Sequence, residues 1–137
     1  MDLYQKAADE IVAFHVFLAD FFNARGASMP ADATTHLTAF DPGFHVISPD
    51  GSMQSLPQLR DWLQTGRGGL PGKEITIEAM TLRHLAGDFV IVTYHEVQML
   101  PAGTTRRLSS AAFAPDADAP RGVKWLHLHE CWLENPL

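Results

Sequence analysis

Cysteine and basic residues are both scarce in this sequence. Cys131 is the single cysteine among 137 residues, so no internal disulfide can form, and a chain of this length can bury one core without cross-links. Ten Lys and Arg stand against sixteen Asp and Glu, which gives a formal net charge of -6. This balance lacks the positive surface that a phosphate backbone requires. We therefore expect one domain over residues 1–137 and no nucleic acid partner.

Long apolar runs are absent as well. The helical segment near the N-terminus is interrupted by Asp9, Glu10, His15 and Asp20, so it falls short of the ~20 apolar residues that cross a bilayer. The first ten residues, MDLYQKAADE, do not have the basic and then apolar order of a secretory signal. We expect a cytoplasmic protein without a membrane partner.

Signatures of cofactor binding are missing too. The glycine-rich segment QTGRGGLPGK has the wrong spacing for a phosphate-binding loop, and Glu74 follows Lys73 where a hydroxyl residue is needed. Two histidines lie close together near the C-terminus, but the spacing supplies no third ligand for a metal ion. The sequence therefore predicts neither a cofactor nor a metal.

The first half of the chain has three segments with helical patterns. In residues 1–24, apolar side chains recur at helical spacing and form an aromatic stripe that includes Phe14. A shorter helix is expected from Asp32 to about Phe40, with Asp32 as its cap. The segment Leu56–Leu63 predicts a third helix, which carries Trp62.

The remainder of the chain has the patterns of β-strands. Residues 44–55 predict two short strands around a turn at Asp50 and Gly51. From Lys73 onward, four long segments rich in β-branched and aromatic residues are separated by Gly, Pro or Asp. Helices followed by consecutive strands are typical of an α+β domain, in which helices cover one face of a curved sheet.

The segment GVKWLHLHECWL, residues 122–133, contains the most chemically suggestive group. Side chains alternate along a strand, so Trp125, His127 and His129 share one face. We assign that face to the interior, because the opposite face carries Glu130. Two inward imidazoles would form the polar floor of a pocket.

His127 and His129 are candidates for three roles. A neutral imidazole is a natural general acid or base near pH 7, and burial would keep it neutral. The plainer alternative is that both are partly buried side chains bonded to their neighbours. Metal binding is the third role, and it needs a further ligand that the sequence does not identify.

Tyr94 is the other catalytic candidate. Tyr94 and Glu96 share one face of their strand, and Thr93 and His95 share the other. Both faces are largely apolar, so periodicity does not decide between them, and we favour the face of Tyr94. A tyrosine in an apolar pocket can donate to a carbonyl or enolate oxygen, and a core position with the hydroxyl at the rim is an equal alternative.

The order of the elements and several motifs resemble a known superfamily. VKWLHLH in residues 123–129, with FHVISPDG and RRLSSAAF, is similar to motifs of small SnoaL-like and ketosteroid-isomerase-like proteins, although Val123 stands where their pattern has tryptophan. These proteins belong to the nuclear transport factor two-like superfamily. The resemblance spans nearly the whole chain. It implies a cone-shaped α+β fold of the cystatin-like kind, in which a curved mixed or antiparallel sheet is covered by a long N-terminal helix and two shorter helices.

The resemblance also implies a cavity and a homodimer. The sheet would curl around an apolar cavity that is open at one end and binds a small molecule. Arg107 is of interest there because a guanidinium can pair with a carboxylate ligand, although a solvated strand end explains it equally well. The ligand-binding candidates are Trp125, Trp62, His45, Phe14 and Arg107. The dimer would form through the outer sheet face, to which we assign Leu126, Leu128 and Trp132.

Two functions remain open at this stage. The first is a homodimeric domain that binds a small organic ligand in its cavity without converting it. The second is a cofactor-free isomerase, cyclase or dehydratase, in which His127 or His129 moves a proton and Tyr94 or an arginine stabilises oxyanion charge. Ketosteroid isomerases use a buried aspartate as base, and the sequence offers no evident carboxylate in an equivalent place. We therefore favour ligand binding.

Overall fold

The computed structural model describes residues 2–133, which form three helices and six strands. The helices cover one side of the sheet, as the sequence predicts. The elements are α1 (Leu3–Phe22), α2 (Pro30–Leu37), β1 (Phe40–Ile47), β2 (Met53–Ser55), α3 (Leu56–Thr65), β3 (Glu74–Ala86), β4 (Phe89–Leu100), β5 (Gly103–Pro115) and β6 (Val123–Trp132).

Side-chain caps fix where α1 and α3 begin. The Asp2 carboxylate accepts a hydrogen bond from the Gln5 backbone N–H at 2.7 Å. At α3, the Gln58 backbone N–H donates to Ser55 Oγ, and the Ser55 backbone N–H donates to the Gln58 side chain at 2.8 Å. This reciprocal pair is a capping box, which satisfies two N–H groups that a helix start otherwise leaves unpaired.

The second helix lies a few residues earlier than predicted. It begins at Pro30, and Asp32 accepts from the Met29 backbone N–H at 2.8 Å from within the first turn. It ends at Leu37 because Phe40 already belongs to β1. The predicted hairpin is present, with Ile47 opposite Met53 in antiparallel β1 and β2.

The sheet is mixed, with the strand order β2-β1-β6-β5-β4-β3. Strands β3 to β6 form consecutive antiparallel pairs, and β1 pairs parallel to β6. The pairing of β5 with β6 is irregular, because Ala112 lies opposite His127 while the next residue, Phe113, lies opposite Trp125. Leu126 is therefore an extra residue on β6, which is the definition of a β-bulge.

A largely aromatic core lies between α1 and the sheet. Phe21, Phe44, Phe113 and Trp125 are each at most 1% exposed. The ring of Trp125 is stacked on Phe40 with the two planes 2° apart. No helix within residues 2–133 has both the length and the apolar character needed to cross a membrane.

Candidate functional site

A cavity of about 230 Å³ lies inside the curve of the sheet, beneath α1 and α3. Its two walls differ in character. Most of the helix and β1 side is apolar, whereas strands β4 to β6 contribute most of the charged and amide side chains. The polar and charged lining residues are His15, Ser48, Gln54, Lys73, Glu96, Gln98, Arg107 and Glu130, and the main apolar ones are Phe14, Leu18, Phe22, Phe40, Phe44, Val46, Leu59, Trp62, Ile75, Trp125 and Leu128.

Four of the five predicted ligand-binding residues lie in this lining. Phe14, Trp62, Trp125 and Arg107 all line the cavity, and their role in binding stays a prediction. His45 does not line it. The ring of His45 is exposed on the other face of β1, and its Nδ1 lies 2.8 Å from the Gly43 carbonyl oxygen.

The expectation that His127 and His129 point into the cavity is wrong. Both side chains are exposed, on the opposite face of β6 from the cavity. The cause is the bulge at Leu126, because one extra residue reverses the inside and outside positions of everything that follows it in the strand. Trp125 precedes the bulge and points inward, as expected.

The same reversal corrects the expected outer face of β6. Leu128 and Glu130 line the cavity rather than the outer surface. Trp132 lies opposite Arg107 in the sheet, and its ring centroid is 4.8 Å from the Arg107 guanidinium carbon. Cys131 shares the outer face with the two histidines and is exposed.

A buried ion pair joins α1 to β4 at the cavity wall. The Nδ1 of His15 donates to the Ile11 carbonyl at 2.7 Å, and its Nε2 donates to Glu96 Oε1 at 3.0 Å. Both partners are acceptors, so the ring carries both protons. Burial disfavours the imidazolium, but the Glu96 carboxylate outweighs burial and raises the pKa of His15 above its ordinary value.

Glu96 is held in its ionised form. Burial on its own favours the neutral acid, but the charge and hydrogen bond of His15 lower the pKa of Glu96 below its ordinary value. The Gln98 amide donates to the other oxygen of the same carboxylate. Glu96 is thus an anion with both oxygens occupied.

Glu130 also lines the cavity, and its pKa is shifted in the opposite direction from that of Glu96. Burial raises the pKa of Glu130, and the negative charge of Glu96 raises it further. Arg107 Nη1 donates to Glu130 Oε1 at 3.3 Å, and Ser109 Oγ donates to Oε2 at 3.5 Å. Two carboxyl groups whose pKa values are shifted apart are typical of acid–base sites.

Tyr94 faces inward and is fully buried. Its ring centroid lies 5.7 Å from that of His15. Burial raises the pKa of Tyr94 well above its ordinary value, and the neighbouring Ser109 side chain offsets this only in part. Within residues 2–133, no hydrogen bond of good geometry reaches its hydroxyl. Tyr94 is not among the residues that line the cavity, so its hydroxyl sits behind the wall.

Trp125 connects the cavity to a second buried carboxylate. Its indole N–H donates to Glu10 Oε2 at 2.9 Å, and Arg121 Nη1 donates to Glu10 Oε1 at 3.2 Å. Burial raises the pKa of Glu10 even with these two donors present. This contact fixes the indole plane that forms part of the apolar wall.

The structure gives no metal-binding geometry within the described part of the chain. Between residues 2 and 133, no three His, Cys, Asp or Glu side chains are grouped as a metal ligand set. His127 and His129 lie together on the outer face, and the described residues supply no third ligand for them.

Comparison with known proteins identifies the fold. No family model matches the sequence, and no curated protein matches it. Among solved structures, an NTF2-like protein of unknown function from Pseudomonas aeruginosa has a TM-score of 0.82 at 24% identity, covering 94% of this chain and 99% of that one. The CaMKII hub of S. rosetta has a TM-score of 0.74 at 18% identity, covering 97% and 98%. An NTF2-like superfamily protein from Salmonella enterica has a TM-score of 0.68 at 14% identity, covering 98% and 93%.

The fold is the NTF2-like fold. The predicted α+β cone is thereby confirmed, and a cystatin-like fold is also described for one of the similar structures. Proteins named as hubs and proteins of unknown function share it, so the fold does not assign an activity.

Within this NTF2-like fold, sequence analysis missed three charged residues of the cavity: Lys73, Glu96 and Glu130. The signal for Glu96 was present, because Tyr94 and Glu96 share a face and an inward tyrosine brings the carboxylate with it. Glu130 could not be found by alternation, because the bulge at Leu126 inverts its position. Lys73 lies at the end of a glycine-rich loop, where periodicity does not predict which way a side chain points.

Proposed function

We propose that this protein binds a small organic molecule that has an apolar side and a polar side. The observation that carries the proposal is the cavity of about 230 Å³ with two unlike walls. Concave sites that are mostly apolar, with a few placed polar groups, are the usual form of small-molecule sites. The volume suits a molecule of about one ring.

The apolar wall is rigid enough to select a shape. Phe14 packs edge-on against Phe40 with centroids 5.0 Å apart, and Phe40 is stacked on Trp125. Edge-on and stacked aromatic pairs have defined geometry and are worth about 1 kcal/mol each beyond the area they bury. A guest would therefore meet a preformed surface.

Methyl NMR with phenol as the probe tests this proposal. Phenol is a single ring with one polar atom, so it should shift the methyl signals of Leu18, Val46 and Ile75, which line the cavity. The methyl groups of Val12 and Val16, which are 47% and 58% exposed, should not move. Shifts spread over exposed methyl groups, or none at all, would refute a binding cavity.

A matched pair of substitutions locates the binding. Val46→Phe places a ring inside the cavity and should weaken phenol binding at least tenfold. Val16→Phe makes the same change on the exposed surface of α1 and should leave the affinity unchanged. Equal affinities for the two variants would place phenol elsewhere.

A second candidate function is acid–base catalysis without a cofactor, of the isomerase, cyclase or dehydratase type. The observation that favours it is the opposite shift of Glu96 and Glu130. Glu130 can accept a proton from a carbon next to a carbonyl, and the bonding electrons then move to the carbonyl oxygen to give an enolate. Lys73 and Arg107 line the same cavity and would stabilise that negative charge.

Hydrogen–deuterium exchange of cyclohexanone in D₂O tests this second function. The protein should speed the exchange of the protons next to the carbonyl above the buffer rate, and Glu130→Gln should remove the acceleration. His127→Ala should retain it, because His127 is exposed outside the cavity. Acceleration that survives Glu130→Gln would rule out this role for Glu130.

We also propose that the protein forms a homodimer through the outer sheet face. The support is the alternation of the central strands, which places Ile91, Leu108 and Ala112 outward and half-exposed. Short and apolar side chains on a broad sheet face allow a second copy to pack closely. A CaMKII hub shares the fold at a TM-score of 0.74, and so does a domain named as the association domain of C. elegans CaMKII at a TM-score of 0.63.

Sedimentation analysis tests the dimer. Ala112→Arg puts a charge in the centre of the proposed contact and should give a monomer. Val16→Arg puts the same charge on the exposed side of α1 and should leave a dimer. A monomeric wild-type protein, or an Ala112→Arg dimer, would contradict the proposal.

A further inference from the structure

Lys73 brings an unpaired positive charge to the cavity. The residue is 7% exposed, and its Nζ lies 4.1 Å from the centroid of the Phe22 ring. Within residues 2–133, no carboxylate lies within ion-pairing distance of this ammonium group. Buried lysines are normally paired, because an isolated charge is costly to bury. Among residues 2–133, Lys73 therefore has no ion-pair partner, and it lies at a cavity that can hold an anion.

Arg107 lines the same cavity with most of its donors unused. A guanidinium has five N–H donors, and among the described residues only Nη1 of Arg107 has an acceptor, Glu130 at 3.3 Å. Its Nε is buried without a partner in the same part of the chain. The ring of Trp132 covers the guanidinium at 4.8 Å, which fixes its plane. Arg107 is thus oriented and only partly paired.

The cavity carboxylates Glu96 and Glu130 do not supply an ion-pair partner for Lys73. Glu96 is occupied by His15 at 3.0 Å and by the Gln98 amide. Glu130 makes long contacts of 3.3 Å and 3.5 Å with Arg107 and Ser109. Burial and the negative charge of Glu96 raise the pKa of Glu130. Within residues 2–133, neither carboxylate therefore forms an ion pair with Lys73.

The pKa of Lys73 reflects both its burial and the charges around it. Burial lowers the pKa of Lys73, the more distant charges of Glu96 and Glu130 offset this only in part, and the neighbouring charge of Arg107 lowers it further. An anionic group close to both cations would offset the repulsion between them and favour the charged form of Lys73. The apolar rings of Phe22 and Trp62 also line the cavity, where the rest of a ligand would lie.

We propose that the ligand of the cavity is a small monocarboxylic acid whose carboxylate pairs with Lys73 and Arg107 and whose apolar body packs against the aromatic wall. This inference rests on the proposed ligand-binding function and specifies its ligand class. Hydrogen bonds between two charged groups are shorter and about twice as strong as neutral ones. A carboxylate is preferred over a larger anion because the cavity of about 230 Å³ must also hold the apolar body.

Four probes of related shape test the ligand class by calorimetry and methyl NMR. Benzoate has the ring and the carboxylate, benzamide has the ring without the charge, benzylamine has the opposite charge, and acetate lacks the ring. Benzoate should bind at least tenfold more tightly than benzamide, whereas benzylamine and acetate should bind more weakly than either. The benzoate affinity should fall as salt concentration rises.

Substitutions then test which side chains bind the carboxylate of benzoate. Lys73→Met keeps the stem over Phe22 but removes the ammonium group, so benzoate should lose at least tenfold in affinity while benzamide changes less than twofold. Lys124→Met is the matched control, because Lys124 pairs with Asp41 at 3.1 Å outside the cavity. Arg107→Lys retains a positive charge without the guanidinium fork and should weaken benzoate to a smaller extent than Lys73→Met.

The outcomes separate this inference from the proposed function. Equal binding of benzoate and benzamide, or an unchanged benzoate affinity in Lys73→Met, would overturn the carboxylate assignment and leave a binding cavity. Failure of phenol and all four probes to shift the cavity methyl signals would overturn both. Backbone amide spectra of each variant establish that the fold is retained before affinities are compared.

Discussion

His15 and Glu96 form a buried ion pair, with His15 Nε2 3.0 Å from Glu96 Oε1 and about 5% of each side chain exposed. The residues are 81 positions apart in the sequence. The pair therefore fixes α1 on β4 at the point where both elements meet the cavity. Two charges without water around them depend on each other strongly, which makes the pair sensitive to substitution and to pH.

Removal of the Glu96 charge should lower the stability of the protein. Glu96→Gln keeps the shape but leaves the His15 imidazolium without its counter-charge, so the free energy of unfolding should fall by about 3 kcal/mol. Urea unfolding followed by tryptophan fluorescence measures the change. Glu78→Gln breaks the exposed Arg106–Glu78 pair and should cost less than about 1 kcal/mol. Similar losses of unfolding free energy in the two variants would show that the buried ion pair stabilises the fold no more than the exposed one does.

The contribution of this pair should depend on pH in a defined window. The pKa of Glu96 is lowered from 4.5, so its stabilisation is complete above that value and is lost as pH falls through the lower folded-state pKa. The pKa of His15 is raised from 6.5, so its stabilisation is complete below that value and is lost as pH rises through the higher folded-state pKa. The difference in unfolding free energy between wild type and Glu96→Gln should be largest between pH 4.5 and 6.5. A difference that does not vary with pH would exclude an ionic origin.

Replacement of the two outer histidines should leave the cavity unaffected. His127→Ala with His129→Ala removes side chains that are exposed on the far face of β6. We expect phenol affinity within twofold of wild type by methyl NMR titration. A tenfold loss would support the inward orientation that simple alternation predicts and would contradict the bulge at Leu126.

The link between Trp125 and Glu10 should contribute to stability. Trp125→Phe removes the indole N–H that donates to Glu10 at 2.9 Å and leaves a small cavity, so the expected loss is about 3 kcal/mol in unfolding free energy. Trp62→Phe is the comparison, because Trp62 is only half-buried and packs on Phe21. A smaller loss for Trp125→Phe than for Trp62→Phe would mean that the Glu10 contact contributes little.

Local patterns were sufficient for most of the element boundaries. The α3 helix was predicted from Leu56 because a proline in the first turn and a stripe of apolar residues are local signals, and the structure begins it at the same residue. The turn at Asp50 and Gly51 was predicted for the same reason, and Gly51 has a positive φ of 86°. The start of α2 was misplaced by two residues, because an aspartate in the first turn can bond to the cap as readily as an aspartate at the cap.

The amino-acid sequence by itself determined the order of helices and strands and the aromatic stripe of α1, because these depend on periodicity and on short-range turn chemistry. The NTF2-like fold was indicated by the resemblance of its motifs to those of known proteins. Only the tertiary structure decided which face of β6 meets the cavity. The bulge at Leu126 arises from the pairing of β6 with β5, and that pairing brings together Ala112 and His127, residues that no local pattern relates. The tertiary structure also decided which charged residues meet in the cavity. They come from separate parts of the chain and come together only when the sheet curls around the cavity: His15, Lys73, Glu96, Arg107 and Glu130.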